Sequence, residues 1–446
     1  MTECNGLHLE FSSLKGKKIQ ADFHGGRLTS DAGAALLREV DRRIGLIDAV
    51  TNCITDPRDP AKITHDLRTL LAQRIFGIAM GYEDLNDHDS LRDDPLLQIV
   101  TERGINPQQP LASASTLCRF ENHVDRQTLA KMAEVFVEQF IASQSRVPEQ
   151  IVLDFDATDD PVHGSQEGRF FHGYYDNYCF LPLYVFCNEQ LLVSYLRPSK
   201  IDAAKHSRAI LKLLVRCFRQ VWPKVKIIFR GDSGFCRWRL LRWCDKHAVN
   251  YIVGLAKNEV LKRLAEPYLE QAKEQFELTK QKQRIFTEVE YGAATWERTR
   301  RVIIKAEHHR QGANPRFVVT NLSGDPERLY DDLYCQRGDM ENRIKEQQLD
   351  LFADRTSCHN FEANQLRLLL SSAAYVLLDS LRRLGLAGTE LARAQAGTIR
   401  LKLLKIGARI TCSVRRIVLH LSGGYPLKEV FAHILWRLSG VSLTPT

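Results

Sequence analysis

The chain has 446 residues, of which 44% are hydrophobic and 26% charged, as in soluble globular proteins with more than one domain. It has no apolar run of eighteen residues and no apolar signal core near its start, so we expect a cytoplasmic protein without a membrane span. The eleven cysteines stand singly, which predicts reduced thiols and argues against a zinc site. The net charge of +8 is compatible with a polyanionic partner.

The first 145 residues have mostly helical periodicity. Helices are predicted near Thr29–Val40, Thr64–Met80, Ser113–His123 and Asp125–Ser143. The third of these is short and basic. On pattern alone, this region fits a DNA-binding helical bundle and a plain packing domain equally well.

From Gln150 onward, apolar residues alternate with a period of two, which predicts strands. Three strands that form an antiparallel meander are expected at Ile151–Asp156, Tyr178–Phe186 and Leu191–Leu196. A helix, a strand, a helix and a strand follow at Ala203–Val221, Val225–Phe229, Arg237–His247 and Tyr251–Leu255. This order is that of the ribonuclease H fold, a mixed α/β sheet flanked by helices.

The order breaks between Lys257 and Arg316, where a charged helical piece is followed by strand-like runs. We therefore predict an insertion there. The chain from Leu381 to Thr446 is rich in Lys and Arg, and its acidic residues are Glu390 and Glu429. Such a region suits contacts with phosphates, although a solvated helix face has the same composition.

Two carboxylates share one face of the first predicted strand. Asp154 and Asp156 alternate with Leu153 and Phe155, so both point to the same side. Buried ionised carboxylates cost several kcal/mol each unless they are paired or bind a metal ion. The polar loop after Asp156 makes this strand end a candidate site for a hard cation. The alternative is that one Asp caps a turn while the other is solvated.

Further residues are candidates for the same site. Asp232 follows a buried strand at a glycine-flanked loop, where such folds hold ligands. Glu341 shares one helix face with Tyr334, Arg337 and Lys345, although an ordinary ion-paired helix shows the same spacing. Three carboxylates can hold two Mg²⁺ ions about 3.5 to 4 Å apart for phosphoryl transfer. Arg337 and Lys345 would then contact DNA phosphates.

Six stretches in this order resemble the DDE transposases of bacterial insertion sequences, most closely the thirteen-eighty family. They cover nearly the whole chain and lie at Gly81–Pro95, Ser115–Asn122, Leu153–Gly168, Arg230–Phe235, Arg300–Glu307 and Tyr334–Glu346. The resemblance implies a multidomain α/β protein with helical regions at both ends. Its ribonuclease H-like core would comprise residues 146–256 and 317–384, interrupted by a β-rich insertion at 257–316. Residues 1–145 would be a helical DNA-binding region and residues 385–446 a basic helical region.

The resemblance also implies which acids bind metal. The family has a small residue and a Thr after its first acid, as in Asp156-Ala157-Thr158, which favours Asp156 over Asp154. Asp232 and Glu341 match the second and third acids. The expected cofactor is two Mg²⁺ ions, for which Mn²⁺ would substitute.

One position departs from the family pattern. Related transposases carry a Lys seven residues after the Glu, where this chain has Gln348. Lys345 lies one helical turn after Glu341 and is the candidate substitute for that Lys.

The implied partners are double-stranded DNA, as element ends and target, and a second copy of the chain in the DNA complex. End recognition is expected from the segment that contains Thr116, Arg119 and Asn122. No membrane partner is expected, and the cytoplasmic protein would join the nucleoid when bound to DNA.

The predicted insertion holds a candidate for stacking on a flipped base. Trp296 lies close to Arg298 and Arg300, but a Trp in a β domain is more often a packing residue. The implied function is Mg²⁺-dependent cleavage at the terminal inverted repeats and joining of the 3′-hydroxyl ends to target DNA. Two other interpretations stay open: a ribonuclease H-like nuclease without strand transfer, and a non-catalytic DNA-binding protein derived from a transposase.

Overall fold

The computed structural model describes residues 9–106 and 108–439, and the chain divides into two compact units. Among the described residues, the first unit contains the chain up to Val124, Asp350–Phe352 and the chain from Ala373 onward. The second unit consists of Asp125–Leu349 and Ala353–Ser372. None of the helices in the described ranges is both long and apolar enough to cross a bilayer.

The helices are α1 (Ala34–Ile44), α2 (Leu46–Thr51), α3 (Leu67–Met80), α4 (Asp87–Leu91), α5 (Pro95–Val100), α6 (Ala114–Glu121), α7 (Arg126–Ser143), α8 (Ser207–Val221), α9 (Trp238–Lys246), α10 (Glu259–Thr279), α11 (Pro326–Arg328), α12 (Arg337–Leu351), α13 (Phe361–Leu381), α14 (Ala396–Ile399) and α15 (Lys428–Ser439). Short 3-10 turns lie at Pro60–Lys62 and Ser233–Phe235. Turns of π-helix lie at Leu329–Tyr334, Arg382–Leu386 and Arg400–Leu404.

The strands are β1 (Leu9–Leu14), β2 (Lys17–Ala21), β3 (Leu28–Thr29), β4 (Gln150–Ala157), β5 (Asp160–Pro161), β6 (Phe170–His172), β7 (Asn177–Phe180), β8 (Leu183–Cys187), β9 (Gln190–Tyr195), β10 (Lys226–Gly231), β11 (Asn250–Leu255), β12 (Gln283–Tyr291), β13 (Arg300–His309), β14 (Gly312–Ala313), β15 (Arg316–Thr320), β16 (Ala408–Cys412) and β17 (Ile417–Leu421).

The core of the first unit is built around α3. Asp66 caps its start by accepting a hydrogen bond from the Thr69 amide, and Gly81 ends it in the left-handed conformation at φ 96°. Every residue from Thr69 to Met80 is buried, as expected of a helix covered on all sides. The helix predicted at Thr64–Met80 is therefore present, with its start at Leu67.

A buried polar network joins α3 to the segment that follows it. Arg74 pairs with Glu121 at 2.7 Å, and its Nη1 lies 3.1 Å from His88 Nε2. Burial and the charge of Arg74 lower the pKa of His88 to about 3, so this imidazole is neutral at physiological pH. Gly77 leaves room for that ring, because a Cβ there would lie 2.9 Å from His88 Cε1. The acidic motif after α3 thus has a structural role in packing.

The second unit is organised around a sheet of nine strands among the described residues. Its order is β12-β13-β15-β11-β10-β4-β8-β9, and β14 pairs with β13. The central strands β4, β10 and β11 are parallel, whereas β8, β9, β13 and β15 pair with their neighbours in antiparallel fashion. The carboxyl ends of the three parallel strands therefore meet at one edge of the sheet.

The two faces of this sheet differ in what covers them. On one face, Leu153 and Phe155 of β4 belong to a large apolar cluster that also contains Leu214 of α8 and Leu241 of α9. On the other face, Val152 packs with a smaller cluster around Tyr330 and Ile228. The predicted alternation along β4 is confirmed, and it directs Asp154 and Asp156 to the second face.

Several element boundaries differ from the predictions. The strand expected at Tyr178–Phe186 is two strands, β7 and β8, because Leu181-Pro182 interrupts it and β7 pairs with β5 and β6 instead. The region 257–316 begins with the long helix α10, and its strands β12 and β13 extend the main sheet through β15. Apolar side chains such as Val302 and Ile304 bring β13 into the same apolar cluster as β4.

The terminal regions also contain strands. Residues 9–21 form the β1–β2 hairpin, and β16 pairs with β17 and with β3. The alternation of Ile410 with Arg409 and Thr411 suits a half-buried strand better than a helix. The sequence also predicts a short strand at Leu7–Phe11, whose first residues lie outside the described residues, as do the last residues of the predicted C-terminal region, 440–446.

Candidate active site

Two of the predicted acids lie side by side because β4 and β10 are parallel and in register. Arg230 is aligned with Asp154, and Gly231 with Phe155. The next residue on each strand is an aspartate, Asp156 on β4 and Asp232 after β10. Both carboxylates therefore lie at the carboxyl edge of the sheet, as the strand-end argument predicts.

Asp154 is already paired inside the protein. Its carboxylate accepts two hydrogen bonds from the buried Arg230, from Nε and, at 2.5 Å, from Nη2. Arg230 Nη1 donates to the carbonyl of Leu333 in the π-helical turn before α12. Asp154 thus serves to hold Arg230 and, through it, the turn that leads into the third acid's helix.

Arg337 brings the first and third acids into one site. Its Nη1 lies 3.3 Å from Asp156 Oδ2, and its Nη2 lies 2.5 Å from Glu341 Oε1, one turn further along α12. The other oxygen of Asp156 accepts from the Ala157 amide at 2.9 Å. The spacing of Arg337 and Glu341 thus places both on the helix face that meets the sheet edge.

Asp232 has a structural contact of its own. Its Oδ1 accepts from the Gly234 amide at 2.8 Å and so caps the 3-10 turn Ser233–Phe235. This bond fixes the carboxylate at the point where the buried strand opens to solvent.

One acid of the site has a strongly raised pKa. Burial raises the pKa of Asp156 to about 7, against the opposing effect of Arg337. The neighbouring carboxylates of Asp232 and Glu341 add to the rise. A carboxyl with such a pKa is a functional-site candidate, because it exchanges its proton for another cation near neutral pH.

Tyr334 also belongs to the site, and Gly254 makes room for it. A Cβ at Gly254 would lie 2.6 Å from Tyr334 Oη, 2.9 Å from the Ser233 amide nitrogen and 3.2 Å from the Asp232 carbonyl carbon. Burial raises the pKa of Tyr334, so its hydroxyl stays protonated. Sequence reasoning missed Gly254, although a glycine inside the strand pattern of Tyr251–Leu255 signals close backbone approach.

The departure at Gln348 has a structural explanation. Its Nε2 donates to Asp160 Oδ1 at 2.9 Å and to the Asp159 carbonyl at 3.1 Å. Burial raises the pKa of Asp160 well above its usual range, which favours a neutral carboxyl that an amide can satisfy. Lys345 is exposed on the same helix, so its ammonium is accessible to a phosphate.

The predicted base-stacking group lies elsewhere on the sheet. In the sheet, Gly254 of β11 is aligned with Val318 of β15, and Val318 with Ile303 of β13. The residue of β13 in the same row as Gly254, which adjoins the site, is therefore Ile303. Trp296 precedes β13, and its half-buried ring packs edge-on against Tyr291 at 5.6 Å. This contact agrees with the packing alternative.

The two arginines beside Trp296 are held by Asp245. Arg300 is buried, with Nη2 3.0 Å from Asp245 Oδ2 and Nε 3.2 Å from Tyr251 Oη. Arg298 is more exposed and also pairs with Asp245, at 2.8 Å. Of the two, only Arg298 presents its guanidinium to solvent in a way that suits DNA contact.

The residues predicted to recognise element ends lie on α6 in the first unit. One side of this helix is buried, with Leu117 and Phe120 among its buried residues. Arg119 and Asn122 are exposed, and Arg119 Nη2 donates to Thr116 Oγ1 at 3.3 Å. Arg119 and Asn122, the residue that follows α6, are therefore accessible, whereas Thr116 is half-buried.

The fit of a divalent cation depends on Arg337. Within the described residues, no group of three or more His, Cys, Asp and Glu side chains is arranged to hold a metal ion. The guanidinium between Asp156 and Glu341 instead supplies the positive charge. Carboxylate oxygens are the donors that Mg²⁺ prefers, so the chemistry of Asp156, Asp232 and Glu341 fits such an ion.

Comparisons with known proteins identify the family of the chain. A cryo-EM structure of the piggyBac transposase synaptic complex with hairpin DNA matches with a TM-score of 0.44 and 11% identity, over 85% of this chain and 80% of that chain. No curated protein matches the chain significantly. The family model described as "Transposase DDE domain group 1" matches residues 11–443. Because that match spans nearly the whole chain, the protein belongs to this family of DDE-domain transposases.

Proposed function

We propose that the protein is the transposase of a bacterial insertion sequence of the thirteen-eighty family. It cleaves DNA at the terminal inverted repeats and joins the 3′-hydroxyl ends to target DNA. The observation that carries this proposal is that Arg337 bridges Asp156 of β4 and Glu341 of α12, while Asp232 follows the neighbouring parallel strand β10 at the same edge of the sheet. Carboxylates gathered at the carboxyl edge of a parallel sheet suit phosphoryl transfer with metal ions.

The fold of the second unit supports the proposal. We infer that β4, β8, β9, β10 and β11 form a ribonuclease H-like core. In the sheet these strands follow the order β9-β8-β4-β10-β11, with the first three antiparallel and the last two parallel to β4. The alternation of α8 and α9 with β10 and β11 matches the same arrangement.

The three acids would hold two Mg²⁺ ions, or Mn²⁺ in their place. When bound, such ions activate the attacking oxygen and stabilise the leaving oxygen of a phosphodiester. Arg337 pairs with Asp156 and Glu341, and its guanidinium is suited to a forked contact with a DNA phosphate. Lys345 adds a second positive charge from the same helix.

DNA recognition is assigned mainly to the first unit. The exposed face of α6 offers Arg119 and Asn122, whose side chains can reach base edges or phosphates. A homodimer in the DNA complex is expected, because two element ends must be processed together.

A strand-transfer assay tests this proposal. Precut duplexes that carry the element's 3′-hydroxyl ends are incubated with a target plasmid and Mg²⁺, with Asp156→Asn as the inactive control. We expect joined products from the wild type only. Hydrolysis without joining would instead identify a nuclease, and binding without either reaction would identify a non-catalytic DNA-binding protein.

A further inference from the structure

The first unit contains a polar cavity that none of the roles above uses. Its volume is about 400 Å³, and it lies between the segment before α3, the segment after α5 and the start of α6. Its lining includes His65, Arg92, Arg103, Ser113 and Thr116. This volume is at the lower end of the range for small-ligand sites, which suits a phosphate group with its neighbouring sugars.

The cavity has a positive lining. Two guanidinium groups and an imidazole face it, whereas none of the described residues that line it is acidic. The carboxylate of Asp93 lies 4.0 Å from Arg92 Nε, at the limit of an ion pair, so Arg92 keeps most of its donors for another partner. Two guanidinium groups beside an imidazole, around a concave space without acids, favour an anion.

Two nitrogen atoms at this cavity have unused hydrogen-bonding capacity. Arg103 donates from Nη1 to the Thr64 carbonyl at 2.8 Å, but its buried Nε has no partner among the described residues. The buried Nδ1 of His65 likewise has none in the described part of the chain. Buried polar atoms are almost always satisfied in folded proteins, so atoms left open beside a cavity point to a ligand.

The cavity also adjoins the helix assigned to DNA recognition. Ser113 precedes α6 without capping it through its side chain, and the hydroxyls of Ser113 and Thr116 lie 3.3 Å apart at the cavity wall. Thr116 accepts from Arg119, whose guanidinium is exposed. A group bound in the cavity would therefore lie beside the outer face of α6.

We propose that this cavity is a binding site for a phosphate group, and specifically for a backbone phosphodiester of the DNA that α6 contacts. Arg92 and Arg103 supply charge-assisted hydrogen bonds, and His65, Ser113 and Thr116 supply neutral ones. Such a contact fixes the register of a helix on DNA without reading sequence. The assignment deepens the proposed function and rests on its DNA binding, not on its catalysis.

The test is the salt dependence of DNA binding by the full chain in EDTA, which excludes cleavage. Arg92→Gln and Arg103→Gln are compared with Arg42→Gln, a control of equal charge change at an exposed position of α1 outside the cavity. One lost phosphate contact lowers the slope of log K against log salt by about 0.9. We expect this drop in both cavity variants and an unchanged slope in the control.

A second measurement separates a DNA phosphodiester from free phosphate. Inorganic phosphate is titrated into the protein without DNA while the pKa of His65 is followed by NMR. Burial and the charge of Arg103 lower that pKa in the free protein, so a bound anion must raise it. We expect a rise in the wild type at high phosphate concentration, and a smaller rise in Arg92→Gln, which keeps the bond from Arg103 to Thr64.

Two results would overturn the proposal. Unchanged salt slopes in Arg92→Gln and folded Arg103→Gln would exclude a DNA phosphodiester, and a phosphate-dependent rise of the His65 pKa would then assign the cavity to free phosphate. An equal slope change in Arg42→Gln would show general electrostatics instead of a site. Because both measurements omit metal, a chain that binds DNA but cannot cut it would still give the expected result here.

Discussion

The guanidinium of Arg230 lies directly across from the carboxylate of Asp154 on the neighbouring parallel strand, and both side chains are buried. This pairing uses both oxygens of Asp154 and leaves Asp156, two residues later, at the open end of the strand. Two carboxylates on one face of β4 thus have different roles. The first positions Arg230 and the carbonyl of Leu333, and the second faces Arg337 and Glu341.

Asp154→Asn is expected to destabilise the fold. Removing one partner of a buried ion pair leaves the Arg230 charge uncompensated, which costs about 3 to 5 kcal/mol. Urea denaturation measures this loss. The double variant Asp154→Leu with Arg230→Met removes both charges and should recover most of the stability. A single variant as stable as the wild type would show that the pair is not what holds these strands and the π-helical turn.

Asp156→Asn is expected to stabilise the metal-free protein at pH 8. The pKa of Asp156 is about 7 in the folded chain and near 3.8 in the unfolded chain, so the folded state holds the extra proton between these values. The contribution of Asp156 to the free energy of unfolding of the wild type therefore falls as the pH rises from about 4 to about 7. Asp156→Asn has no carboxyl to ionise, so it avoids this loss of stability, which we place at about 2 kcal/mol at pH 8.

Thermal unfolding in EDTA at pH 5 and pH 8 measures the effect. The gain of Asp156→Asn over the wild type should be larger at pH 8. A gain of equal size at both pH values would mean that the variant acts by packing and not by removing a buried charge.

Gly254→Ala is expected to reduce cleavage more than it reduces stability. The new methyl group would lie within 3 Å of Tyr334 Oη and the Ser233 amide. Either the Tyr334 hydroxyl or the loop that contains Asp232 must therefore shift. Gly338→Ala is the matched control, since a Cβ there meets nothing within 4 Å. Tyr334→Phe in the Gly254→Ala background should restore part of the rate, because it removes the closest atom. Rates equal to wild type in Gly254→Ala would contradict the close approach.

Gln348→Ala is expected to cost about 1 to 3 kcal/mol of stability, because it leaves the buried Asp160 carboxyl and the Asp159 carbonyl without this donor. Leu349→Ala, at a position with 72% exposure on the same helix, should change stability little. Chemical denaturation measures the free energy of unfolding of both variants. If Gln348→Ala is as stable as Leu349→Ala, the amide has no structural role there.

The local parts of the fold were predictable from the sequence. The period of two along β4 and the helical spacing of Arg337 and Glu341 depend only on the backbone geometry of a strand and a helix, whereas Tyr334 ends the π-helical turn before α12. Both patterns placed the residues on the faces where the structure has them, since local geometry alone fixes which residues share a face.

Long-range pairing was not predictable in the same way. The residues of β12 and β13 do not show that β13 pairs with β15 and so brings both strands into the main sheet. This pairing depends on a partner strand that comes later in the chain. For the same reason, the Arg230–Asp154 pair follows from strand register and not from spacing. The position of Asp245 beside Arg300 depends on where helix α9 packs against the sheet. The order of β11 and β15 in the sheet likewise requires the folded chain.

The proposed function requires that Asp156, Asp232 and Glu341 act together in one metal-dependent site. The most direct test is Mg²⁺-dependent cleavage of labelled DNA that bears the element's ends, by wild type, Asp156→Asn, Asp232→Asn and Glu341→Gln. Asp339→Asn, at an exposed position of α12, is the control. We predict cleavage by the wild type and the control, and loss of at least about 100-fold in each of the three variants although each still binds the ends. Cleavage at the wild-type rate by any one of the three folded variants would contradict the account.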